Sequence, residues 1–265
     1  MDNILAMQGI QPELRRAFGK LGSLAIPFGT PVNAAAAQVV LAAADLAIMA
    51  VDDTVTFAGV ELTKAAAPGD AAWDDAAALA ALLNALADWN AAENAGAVTI
   101  TAATRGAAAN GNVATLTILE DTTAGGNGAG TEATATIAAA TIARLAIGDT
   151  VEFSGEVFTM ATDDSVQDNK FKNLAGLIAC IDAMADWAAA EDTGAVDITA
   201  ATDSTDFNGV EIIVTLKRVT AGGVDGTPGF RGAVCVDAGF IYVCTATDTT
   251  TQNNNWERVA IAGGF

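Results

Sequence analysis

The sequence has no histidine and only four serines, Ser23, Ser154, Ser165 and Ser204. The first absence removes the commonest general base and the commonest metal-binding side chain together. None of the serines stands in a G-x-S-x-G or S-x-x-K context, so a serine nucleophile with its usual relay cannot be assembled. Basic residues are scarce as well: 12 Lys and Arg face 32 Asp and Glu, for a net charge of −20. A chain this acidic repels phosphate backbones and anionic lipid, so neither nucleic acid nor a membrane surface is expected as a partner. Three cysteines, an odd number, do not make a disulfide framework. No apolar run approaches the roughly 20 residues that span a bilayer; LAAADLAIMAV (41–51) is short and holds Asp45. The N-terminus shows no basic head followed by an apolar run, and no secretory signal is expected.

Mean hydropathy is nevertheless positive, because alanine is abundant. Small apolar side chains without compensating charge suit a chain that buries surface against neighbours; an alanine bias inherited from a GC-rich genome explains them equally well.

The same stretch occurs twice. Residues 79–118 align without a gap on residues 177–216, placing Trp89 on Trp187, Gly96 on Gly194, Ile100 on Ile198 and Asn110-Gly111 on Asn208-Gly209. Further back, VDDTVTFAGVELT (51–63) falls on IGDTVEFSGEVFT (147–159), Asp53 on Asp149 and Gly59 on Gly155, with an offset two residues shorter. QVVLAAADLAIMA (38–50) meets TATIAAATIARLA (134–146) in that same register. So many matched rare residues predict an internal duplication of a unit of about 80 residues, enough for one small core.

The predicted fold class is α+β: two tandem strand–hairpin–helix–two-strand repeats, an N-terminal arm with a short helix, and a β-rich C-terminal hairpin module. The boundaries are 1–32 for the arm, 33–121 and 132–218 for the repeat domains, 122–131 for a glycine-rich linker and 219–265 for the C-terminal module. In the arm, Pro12 opens a short helix. Leu14 and Phe18 share one face of it, while Arg15, Arg16 and Lys20 make the arm mildly basic on an acidic body. That combination predicts a docking element, against the simpler alternative that the arm packs on its own chain. Within each repeat, Ala58-Gly59 and Ser154-Gly155 signal tight hairpin turns. Leu79, Leu82, Leu83, Leu86 and Trp89 recur at helical spacing, answered by Leu177, Cys180, Ile181, Met184 and Trp187, and both sets are predicted as the core face of a helix. Cys180 takes the place of Leu82 and reads as a buried, inert thiol. Asn-Gly, in which both residues tolerate positive φ, marks a shared corner. The glycines of 122–132 fail the G-x-G-x-x-G spacing and precede a strand, so no nucleotide site is expected. Around Ala238-Gly239 a two-residue turn sets Val236 opposite Ile241 and Cys235 opposite Tyr242, leaving Cys244 diagonal to Cys235 and both thiols free.

Carboxylates recur as Asp88 with Glu93 and Asp186 with Glu191, near the predicted helix ends. They read as solvated or partner-facing groups rather than a duplicated catalytic pair, although a hydrolase acting on cell-surface polymer would draw on them. DDSVQDN (163–169) lacks the central glycine and final glutamate of an EF-hand loop. No catalytic residue, cofactor site or metal site is expected.

The pattern D-T-V-x-F-x-G-x-x-x-T, an Ala/Leu helix, a V-x-I-T-A strand and an N-G turn resembles a module of virion structural proteins of tailed bacteriophages. The ending, with Gly226-Thr227-Pro228-Gly229, Gly232, Val236-Asp237, Ile241 to Thr247 and Trp256 to Ala260, is similar to the close of phage head-decoration, head-fibre and tail-fibre proteins. The segment Asp248 to Asn255 is longer and more polar than the compact turn usual there. Together the resemblances span residues 34–261. They imply a non-enzymatic virion protein, foremost a capsid decoration or cement protein on the head. The partners implied are the major capsid protein or other virion proteins, in a homo-oligomer that trimers among the proteins it resembles suggest. The other reading they allow is a tail fibre or baseplate protein that binds a receptor through exposed aromatics such as Tyr242 and Trp256.

Overall fold

The computed structural model describes residues 34–122, 125, 132–227, 231–236, 240–247 and 256–260. The proposed docking residues Leu14, Arg15, Arg16, Phe18 and Lys20, most of the glycine-rich linker and the segment 248–255 lie outside the described residues. Short helices are interspersed among mostly antiparallel strands, with two short parallel pairings, 60–64 with 72–73 and 156–160 with 170–171, an α+β arrangement. Chain contacts separate residues 35–224 from a second unit made of the two chain ends.

The first half of the 35–224 body contains β1 (Gln38–Leu41), α1 (Ala43–Ala47), β2 (Thr54–Phe57), β3 (Val60–Lys64) and β4 (Ala72–Trp73). These are followed by α2 (Ala76–Asn84), β5 (Trp89–Asn94), β6 (Ala97–Ala102) and β7 (Val113–Asp121). The second half gives β8 (Thr134–Ile137), α3 (Ala139–Ile142), β9 (Thr150–Phe153), β10 (Glu156–Met160) and β11 (Lys170–Phe171). After them come α4 (Leu174–Asp182), β12 (Trp187–Asp192), β13 (Ala195–Ala200) and β14 (Glu211–Val219). Strands of both halves share one eight-stranded sheet, ordered β11-β10-β9-β14-β7-β2-β3-β4. Two three-stranded sheets, β1-β6-β5 and β12-β13-β8, complete the body.

The central pairing is β7 against β14, antiparallel along nine residues, with Thr117 opposite Thr215. Those threonines are the residues that the sequence alignment superposes, so the ladder is symmetrical about them. Alternation then sends Leu116, Ile118, Val214 and Leu216 into the core and leaves Thr115, Thr117 and Thr215 half-exposed on the other face. The hairpins close as expected: Phe57 pairs with Val60 and Phe153 with Glu156, and Ala58-Gly59 and Ser154-Gly155 all take positive φ. This is the turn whose twist matches that of its strands.

The helices are shorter than their apolar stripes. Leu79 and Leu83, like Leu177, Cys180 and Ile181, are buried on α2 and α4, and Leu82 is half-buried. Leu86 and Met184 lie beyond the helix ends, packed against the core, while Trp89 and Trp187 open strands β5 and β12. The expected helical position of both tryptophans is therefore corrected. The reason is local: Asn84, the last residue of α2, donates from Nδ2 to Ala91 O at 2.6 Å and accepts from Ala91 N at 2.7 Å. It thus draws the chain back as an edge strand. Asp182 accepts from Ala189 N at 2.7 Å at the matching place. Phe57 and Trp89 meet edge to face at 4.7 Å, and Phe153 and Trp187 at 4.6 Å. Asp75 and Asn173 cap the helices through Ala78 N and Gly176 N.

In the second unit, β15 (Val234–Val236), β16 (Phe240–Cys244) and β17 (Trp256–Ala260) form a meander with Val236 opposite Ile241 and Cys235 opposite Tyr242. Cys235 and Cys244 are buried free thiols.

Trp73 is 1% exposed and donates from Nε1 to Leu62 O. Trp73→Ala is expected to destabilise the body by about 3–5 kcal/mol, and Asp75→Ala by about 1 kcal/mol, both read by urea unfolding.

Candidate functional site

Polar side chains inside the body concentrate where its two halves meet. After β7 the chain passes Thr122, and after β14 it passes Thr220; both are buried. Thr122 Oγ1 donates to Phe207 O and accepts from Val210 N, so the end of the first half is tied to the second. Thr220 Oγ1 donates to Ala109 O at 2.6 Å and accepts from Asn112 N at 2.9 Å, the reciprocal tie. The Asn-Gly corners complete it. Asn110 donates from Nδ2 to Gly223 O and accepts from Gly223 N, both at 2.9 Å. Asn208 does the same to Gly125 at 2.8 and 2.7 Å. A Cβ on Gly223 would lie 2.4 Å from Gly106 O, so only glycine allows this approach.

This corrects the expected role of Asn-Gly. The asparagines keep φ of −67° and −74°, and only Gly111 and Gly209 turn positive. The asparagine is present for its amide, which clamps the other half's backbone.

Two buried aspartates hold the loops before β2 and β9. Asp53 accepts from Ala50 N at 2.6 Å and Leu119 N at 2.9 Å; Asp149 accepts from Ala146 N at 2.8 Å and Lys217 N at 2.7 Å. Burial pushes Asp53 above its ordinary value despite those two N–H groups.

A third carboxylate has no counterpart. Asp45 on α1 is 1% exposed and accepts from Arg144 Nε at 2.5 Å and Arg218 Nε at 3.0 Å, both from the second half. Arg218 also reaches Asp149 Oδ2 at 3.2 Å and Arg144 O at 3.0 Å. At the matching positions stand Thr141, Ile48 and Glu120. Burial alone would raise Asp45, but the hydrogen bonds and charges of Arg218 and Arg144 outweigh it and hold the carboxyl below its ordinary value. For Arg218, burial lowers and Asp45 and Asp149 raise, with a net rise. Two carboxylates and two guanidiniums balance, and each carboxylate is occupied. The arrangement holds chain segments together and leaves no acid or base facing a cleft.

The carboxylates singled out from sequence are not gathered. Asp88, Glu93, Asp186 and Glu191 are all exposed, Glu93 and Glu191 on edge strands rather than at helix ends, and Glu93 accepts from Gly96 N. Cys180 is buried beside Lys170 O, and burial, aided by Asp164, pushes its thiol up. Tyr242 and Trp256 are 7% and 8% exposed and form the core of their small sheet, with Trp256 Nε1 donating to Thr227 O. The expectation that they are exposed is corrected: in a three-stranded sheet they are the large side chains available for a core. Among the described residues no group of three Cys, Asp or Glu could hold a metal ion, and no helix is long and apolar enough to cross a membrane. None of the family models, curated proteins or solved structures compared with the chain matches it.

The sequence carried no signal for Asp45, Arg144 and Arg218, which meet across 99 and 173 residues. Asp45→Asn is expected to destabilise the body by about 2–4 kcal/mol at about pH 7; the arginines keep some access to water, which places the loss toward the low end. Because the folded Asp45 sits below its ordinary value of 3.8, its contribution is complete above that value. It fades as pH falls through the lower, folded one. Urea unfolding as a function of pH is therefore expected to show a smaller acid loss in Asp45→Asn than in the parent chain.

Proposed function

We propose that the chain is a non-enzymatic structural protein of a tailed-bacteriophage particle, a capsid decoration or cement protein that coats or stabilises the head. In this reading residues 35–224 are two copies of one αβ unit, each closing with three strands after its longer helix, fused into one body and flanked by the N-terminal arm and a β-rich C-terminal module. The arm docks on the shell through Leu14, Arg15, Arg16, Phe18 and Lys20, the body covers it, and the protein associates with further copies of itself, three being the number the resemblance implies.

The observation that carries the reading is the use of polar groups inside the body. Asp53 and Asp149, Thr122 and Thr220, and Asn110 and Asn208 all bind backbone of the chain itself. Such groups serve rigidity, and a coat protein needs rigidity where an enzyme needs a reacting group left poised. The resemblance to virion modules supplies the location. A tail fibre or baseplate protein is the other place it allows, and the burial of Tyr242 and Trp256 removes the aromatics that would have met a receptor there.

Quantifying this chain in purified particles is expected to give a fixed ratio to the major shell protein, comparable in copy number. Absence from the particle, or a few copies per particle, overturns the head location.

A further inference from the structure

The eight-stranded sheet buries one face and leaves the other open. Register places a single row of threonines across six strands of that open face: Thr159, Thr150, Thr215, Thr117, Thr54 and Thr63. All are half-exposed. Threonine suits a solvent-facing strand, and cross-strand threonine pairs are stabilising, so the row by itself needs no partner.

The rows beside it are different. Two residues along in one direction lie Val157, Glu152, Ile213 and Leu119, in that order across β10, β9, β14 and β7. Val157 is 45% exposed and Leu119 37%. At the other end of the central strands Val113 pairs with Val219, 41% and 53% exposed. Five apolar side chains on one open face are what solvent-facing threonine does not explain.

Next to Ile213 the face dips into a shallow cup of about 270 Å³, lined by Glu152, Ser154, Gly155, Gly209, Val210, Glu211 and Ile213. Val210 and Ile213 give it an apolar side within a lining that is otherwise mostly polar, and Glu152 and Glu211 are exposed carboxylates, a setting in which a lysine or arginine lays its stem on the apolar side chains and its head beside the acids. The matching place in the first half has Thr56 for Glu152 and Val113 for Glu211, and is uncharged. Residues 35–224 hold 26 Asp and Glu against seven Lys and Arg, so a second copy of this face would meet it with like charge. Six strands about 4.8 Å apart and rows about 7 Å apart give roughly 500 Å² of face, at the small end of specific interfaces, where one well-placed charged anchor decides binding.

We propose that this open face docks a basic protein partner, which lays an apolar patch over Val157, Ile213 and Leu119 and sets a lysine or arginine in the cup between Glu152 and Glu211. This rests on the structural role proposed above and names the side of the body that faces its neighbour.

The test uses the full chain and a lysine decapeptide, with binding measured by calorimetry. Glu152→Gln with Glu211→Gln is expected to weaken binding about tenfold more than Asp88→Asn with Asp186→Asn, which removes the same charge from exposed sites elsewhere. Equal weakening by the two pairs, or none by either, overturns the proposal, because attraction is then only diffuse. Carbodiimide labelling of carboxylates on assembled particles reads the site in place: Glu152 and Glu211 are expected to lose labelling on assembly while Asp88 keeps it. Unchanged labelling in particles that contain the chain overturns the face and leaves the virion reading standing. Particles without the chain overturn the virion reading, and the peptide titration still decides the face.

Discussion

The nine-residue antiparallel ladder between β7 and β14 is the constraint on which the rest of the body depends. It joins the last strand of one half to the last strand of the other, so neither half can complete its sheet, or cover the apolar face of that sheet, alone. Burial of Leu116, Ile118, Val214 and Leu216 along the ladder removes from water the side chains that hold the two halves in one core. Slipping either strand by one residue would turn its own two of these side chains outward and its threonines inward.

Around the ladder the chain exchanges its ends. The segment after β7 is held by Asn208 and the segment after β14 by Asn110, each through a pair of hydrogen bonds to one glycine. This cross-tie is two-fold in pattern. The Asp45, Arg144 and Arg218 cluster departs from the pattern. Its charges occur once, with Thr141, Ile48 and Glu120 in the matching places, so it distinguishes the two halves and fixes which loop meets which. A buried ion pair need add little net stability, but loss of one partner leaves the other charge uncompensated, so the cluster ties α1 of the first half to Arg144 and Arg218 of the second.

The legible features were those set by neighbours in sequence. Ala58-Gly59 and Ser154-Gly155 fix their hairpins because a two-residue turn determines register, and the same rule places Cys235 opposite Tyr242. Helix extent was not legible at Trp89 and Trp187. Both continue the helical period, and what stops the helix is a side chain of its own last turn, Asn84 or Asp182, reaching a strand seven residues on. Ala95-Gly96 and Thr193-Gly194, all at positive φ, were the overlooked sign that a strand precedes β6 and β13. Trp73 and Phe171, superposed at an offset of 98 and both buried, could also have been paired from the sequence. The inter-half cluster could not, since nothing near Asp45 announces an arginine 173 residues away.

The central claim is that residues 35–224 stand or fall together. Native-state hydrogen exchange tests it most directly. Amides of β2 and β7 in the first half and of β9 and β14 in the second are expected to exchange with one common free energy equal to that of global unfolding. Protection lost from one half at a clearly lower free energy, with the other intact, would contradict the account.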